Sequence, residues 1–72
     1  MSANKFIYYR VIEGCYDGLT WEPVDWHECN SRGWIADKKA RELLRYNLKA
    51  YRESGAGSYR VSGKRELREG TA

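Results

Sequence analysis

This chain has little of what most small catalytic or secreted proteins are built from. It holds one histidine, one proline, one methionine and two cysteines in 72 residues. Two cysteines are too few for the disulfide framework that staples small secreted domains, so Cys15 and Cys29 read as thiols of a reducing compartment, with a single bridge between them left open. No apolar run approaches the roughly 20 residues of a membrane span. Met1-Ser2-Ala3-Asn4-Lys5 leads into no apolar signal-peptide core, and the expected location is the cytoplasm, away from membranes. The length makes residues 1–72 a single domain. Its core is too small to enclose a deep pocket for a cofactor or a sizeable substrate, so no enzyme and no cofactor are expected.

What the chain does have is aromatic mass and charge. Three Trp, six Tyr and one Phe are dispersed through a sequence that is 42% hydrophobic and 32% charged, which is globular rather than disordered composition. Apolar burial and chain ordering each amount to roughly 110 kcal/mol for this size and nearly cancel, so the large rings must pack well. Charge is uneven. Residues 1–36 carry three Lys/Arg against five Asp/Glu, residues 37–72 ten against five, within a net charge of +3. A basic half is steered toward a negative partner even when the whole is mildly charged.

Phe6-Ile7-Tyr8-Tyr9-Arg10-Val11-Ile12, aromatic and β-branched, reads as a strand. A turn over Gly14 to Gly18, with Asp17-Gly18 inside, leads to a second strand over Trp21 to Cys29, in which Pro23 predicts an edge position or a bulge. Asp37 is the expected N-cap of a helix running to Ser54, and Gly55 its left-handed C-cap. Ser58-Tyr59-Arg60-Val61-Ser62 is a third strand ended by Gly63. The ordered core then spans about 5–63, followed by a charged, frayed tail over 64–72. The order β-β-α-β predicts an α+β domain of two layers: an antiparallel three-stranded sheet with one helix packed on one face.

Strand alternation assigns the faces. Taking Arg10 and Arg60 as outward, Ile7, Tyr9, Val11, Tyr59 and Val61 face the helix, with Val24 and Trp26, while Phe6, Tyr8, Arg10 and Arg60 face out. Trp21 stays unassigned, because a bulge at Pro23 flips half its strand. On the helix, Ala40, Leu43, Leu44, Asn47, Leu48 and Tyr51 form an apolar stripe about 140° wide that Asn47 interrupts. Lys38, Arg41, Arg45, Lys49 and Arg52 fall within about 80° of arc. That stripe is either an ordinary solvated face, the commoner case, or an electrostatic footprint for phosphate or a carboxylate-rich surface; Glu42 and Glu53 lie beside it rather than within it, which adds weight to the footprint.

Chemical motifs are sparse. Asp25, His27, Cys29 and Cys15 are the metal-ligating types, but neighbours at i and i+2 stand about 7 Å apart and no paired Cys-x-x-Cys is present, so no metal is expected. The same spacing weakens Cys29 with His27 as a nucleophile pair. Gly55-Ala56-Gly57 follows a helix instead of opening one and is a cap, not a phosphate loop. Aromatics interleaved with cations, Phe6-Tyr8-Arg10 and Tyr59-Arg60, are either packing or a surface for stacking bases.

With its aromatic first strand and the final Tyr59-Arg60-Val61, the layout from Phe6 to Ser62 resembles the small proteins that lytic bacteriophages make to redirect host RNA polymerase. The order of elements also resembles the sheet-plus-helix arm-binding domains of phage integrases. The first resemblance implies a monomeric transcription regulator that docks on host RNA polymerase, inhibiting initiation or altering termination. The expected contacts are Lys5, Phe6, Tyr8, Arg10 and Arg60, with Lys38, Arg41, Arg45, Lys49 and Arg52 as the electrostatic patch. The second resemblance implies a nucleic-acid-binding module that uses the sheet and the basic helix.

Overall fold

Phe6–Cys15 forms β1, in a computed structural model that describes residues 5–67. Trp21–Cys29 forms β2, Lys38–Ser54 the helix α1 and Ser58–Leu67 the strand β3. The three strands make one antiparallel sheet in the order β2-β1-β3, with the helix against one face. This is the small α+β architecture that the element order implies.

Local chemistry sets the helix ends as expected. Asp37 Oδ2 accepts the Ala40 backbone N–H at 2.9 Å, and Gly55 takes the left-handed conformation at φ 71° that disfavours a side chain. Pro23 sits on an edge strand, where its missing N–H costs no ladder bond. Beside it, Ile12 pairs with Asp25 and Glu13 with Pro23, leaving Val24 as the extra residue of a bulge.

Two expectations need correcting. First, two strands run past their expected ends: Gly14 and Cys15 do not open the turn but belong to β1, opposite Tyr59 and Ser58, and β3 does not end at Gly63. It continues to Leu67, with Gly63 opposite Arg10 and Lys64 to Leu67 opposite Tyr9 to Phe6. Glycine only weakens a strand, and pairing along the long central strand carries it past. The rest of the charged tail, 68–72, lies outside the described residues.

Second, the faces of β1 are exchanged. Ile12 shares a face with Asp25 and Val61, and that is the face the helix covers: Asn47 reaches Asp25, and Tyr51 lies 5.2 Å from Tyr59. Tyr8, Arg10 and Ile12 are therefore on the helix side, and Ile7, Tyr9 and Val11 are on the helix-free side. Trp26, opposite Val11, is on the helix-free side too. Tyr59, Val61 and Arg60 fall on the sides expected. A single charge misleads here because both faces of β1 carry one. Arg10 lies on the helix side and Glu13 on the other, and both are accommodated by partners. Val11 and Ile12, adjacent and on opposite faces, are both 0% exposed. Gly14 has no room for a side chain, since a Cβ there would meet Tyr16 Oη at 2.8 Å and Tyr59 Cε1 at 2.9 Å.

The helix is thinly seated. None of its residues is fully buried; Leu44 and Leu48 are half-buried and Leu43 is exposed. No helix among the described residues is long and apolar enough to cross a membrane.

Candidate partner-binding surfaces

The helix-free face is built around β1. Tyr9 meets Trp26 edge-to-face at a centroid separation of 5.2 Å, and Trp26 is 42% exposed. Farther along, the Arg60 guanidinium lies 4.1 Å over the Trp21 ring, which the bulge has brought to this same face. Between them is Glu13, 3% exposed, its carboxylate accepting from Arg60 Nε at 2.8 Å and Lys64 Nζ at 3.1 Å. The Arg60 hydrogen bond holds the Glu13 carboxyl below its ordinary range, with Lys64 assisting and burial opposing. Glu28 and Glu66, opposite Tyr9 and Ile7, add negative charge to the face. The surface is aromatic and nearly neutral.

The helix side carries two polar clusters. Asp25 Oδ2 accepts from His27 Nε2 and Asn47 Nδ2, each at 2.9 Å, so the asparagine that interrupts the apolar stripe has a specific partner across the layers. The Tyr59 hydroxyl meets the Tyr16 hydroxyl at 3.2 Å, and this neighbour, with desolvation, raises the Tyr16 pKa to about 12. Cys15 and Cys29 are both free. Burial pushes the Cys29 thiol up, the reverse of what activates a nucleophile. Among the described residues no three Asp, Glu, His or Cys side chains gather into a group fit to hold a metal.

The contacts expected from sequence do not share a surface. Phe6, Tyr8 and Arg10 lie on the helix side, where the Arg65 guanidinium sits 4.2 Å over the Phe6 ring; Arg60 lies on the other side; Lys5 is exposed just before β1. The helical cations divide as well. Arg41 Nη1 donates to the carbonyls of Ile35 at 2.7 Å and Ala36 at 3.0 Å, with its guanidinium 4.3 Å over Trp34. Arg52 Nη2 donates to the Tyr59 carbonyl at 3.2 Å. These two fasten neighbouring segments, while Lys38, Arg45 and Lys49 project as exposed cations. Sequence reasoning missed Tyr9, Trp21, Trp26, Glu13 and Lys64 as one surface. The available signal was Glu13 itself, a carboxylate in alternation with Tyr9 and Val11, which demanded cations on an adjoining strand.

No family model matches this sequence, and neither a curated protein nor a solved structure matches it.

Proposed function

We propose that this protein is a non-enzymatic binding module that docks on a protein through the helix-free face of its sheet. The observation that carries this reading is the Tyr9–Trp26 pair, with Trp21 beyond it, on a face from which no helix excludes a partner. Aromatic anchors of this kind supply most of the energy in protein interfaces. The near-neutral charge favours a protein over nucleic acid, because Arg60 and Lys64 are already committed to Glu13. The resemblance of the element layout to small phage regulators makes host RNA polymerase the first partner to test and transcription the process proposed to be regulated.

The test is a titration of purified bacterial RNA polymerase against the labelled protein and against Trp26→Ala. Submicromolar binding is expected, with at least a tenfold loss in the variant and an unchanged circular-dichroism spectrum. Absence of binding would remove the polymerase as partner. Binding that ignores Trp26→Ala would remove this face as the docking surface.

A further inference from the structure

The most telling feature outside the helix-free face is the cleft between α1 and the sheet. It has a volume of about 320 Å³, and Ile35, Leu44, Leu48 and Val61 give it an aliphatic lining. Arg10, Arg41 and Arg45 are the charged residues along it, and no carboxylate lines it. Leucines at this position on an amphipathic helix would ordinarily be covered by their own sheet, yet here they are only half-buried.

The three arginines differ in readiness. Arg41 is fixed by the Ile35 and Ala36 carbonyls and stacked on Trp34, so it forms a rigid wall. Arg10 makes a long 3.5 Å contact to the Gly33 carbonyl that leaves most of its donors unassigned. Arg45, one helical turn from Arg41, is exposed and makes no side-chain hydrogen bond or ion pair among the described residues. Guanidinium groups are planar forks that fit carboxylates in pairs. An aliphatic floor under such forks selects a ligand with an apolar side chain next to a carboxylate.

We infer that this cleft is a second binding site, distinct from the helix-free face, and that it takes an acidic segment of a partner protein in which Asp or Glu flanks a Leu- or Phe-type anchor. The apolar side chain enters between Leu44, Leu48 and Val61, and the flanking carboxylates pair with Arg45 and Arg10. Charge complementarity separates this occupant from a purely apolar one, which would leave the guanidiniums to be desolvated without partners.

The probe is a short fluorescein-labelled peptide alternating Glu and Leu at helical spacing, followed by anisotropy and by the indole N–H signals of the three tryptophans. The peptide is expected to bind and to shift Trp34 while Trp26 stays in place. Replacing its Glu by Gln should weaken binding at least tenfold, and Arg45→Gln in the protein at least fivefold. Arg45 holds nothing else in place, so that variant keeps the fold. No binding at millimolar peptide would overturn the inference, and so would equal binding of the Gln peptide. A shift at Trp26 in place of Trp34 would overturn it as well, as would equal displacement of the peptide by a single-stranded oligonucleotide. None of these results bears on RNA polymerase docking at the helix-free face, which is tested separately.

Discussion

Glu13 concentrates more of this protein's physics than any other single side chain. It is nearly inaccessible, yet it is charged, and its cost of burial is offset by Arg60 and Lys64 from a strand 47 and 51 positions on in the chain. Because its carboxyl is held below the ordinary value of 4.5, it contributes stability that is present above that value and is lost as pH falls through the folded-state pKa. Thermal scans should show a melting midpoint that is flat near neutrality and drops below about pH 4.5, with a shallower acid limb in Glu13→Gln. That variant should cost about 1–2 kcal/mol at pH 7, a figure held down because both cations are partly exposed. Tyr16 behaves in the opposite direction. Its pKa is raised to about 12, so its contribution is intact below the ordinary value of 10 and fades as pH rises toward 12. Tyr16→Phe should flatten the alkaline limb in the same scans. Neither residue could be assigned from sequence, since each depends on a partner brought close by strand register, and register is set by the whole sheet. Asp37 and Gly55 were legible because a helix cap depends only on the next few residues.

At the level of elements, the order of strands and helix and the bounds of the helix follow from composition and caps, and the structure has them. The faces of β1 were not legible. Phe6–Cys15 has apolar residues in both registers, Val11 in one and Ile12 in the other, so alternation alone does not say which register the helix covers. The bulge at Val24 then moves Trp21 onto the face that holds Trp26, a displacement that Pro23 signalled without its direction. Burial predicts how substitutions rank. Ile12→Ala removes a fully buried side chain and should cost about 2–4 kcal/mol, whereas Leu44→Ala, on a helix with no fully buried residue, should cost about 1–2 kcal/mol. Urea denaturation of the two variants decides this. A Leu44 variant less stable than the Ile12 variant would mean that the helix, and not the central strand, organises the core.

For the whole molecule the question is what the basic half is for. Net charge alone points toward nucleic acid, but the structure divides the cations by use: Arg41 and Arg52 hold neighbouring backbone, Arg60 and Lys64 neutralise Glu13, Arg65 stacks on Phe6, and Lys38, Lys39, Arg45 and Lys49 remain projecting. Neutralising about four phosphates with these cations would give a log–log salt slope near −3.6 on duplex DNA, so a steep salt dependence is the signature expected if the helix, and not the sheet, meets the partner. For a protein docked on the helix-free face, cations on the helix across the sheet act only through long-range steering of association, while aromatic anchors govern dissociation. The charge reversal Arg45→Glu with Lys49→Glu should therefore slow association with the proposed partner, RNA polymerase, severalfold, more so at low salt, and leave dissociation nearly unchanged. Trp26→Ala should do the reverse, speeding dissociation at least tenfold at either salt concentration. Surface plasmon resonance at two ionic strengths separates the two rates. If the charge reversal abolishes binding while Trp26→Ala has no effect, the binding surface is the basic helix and docking through the sheet is wrong.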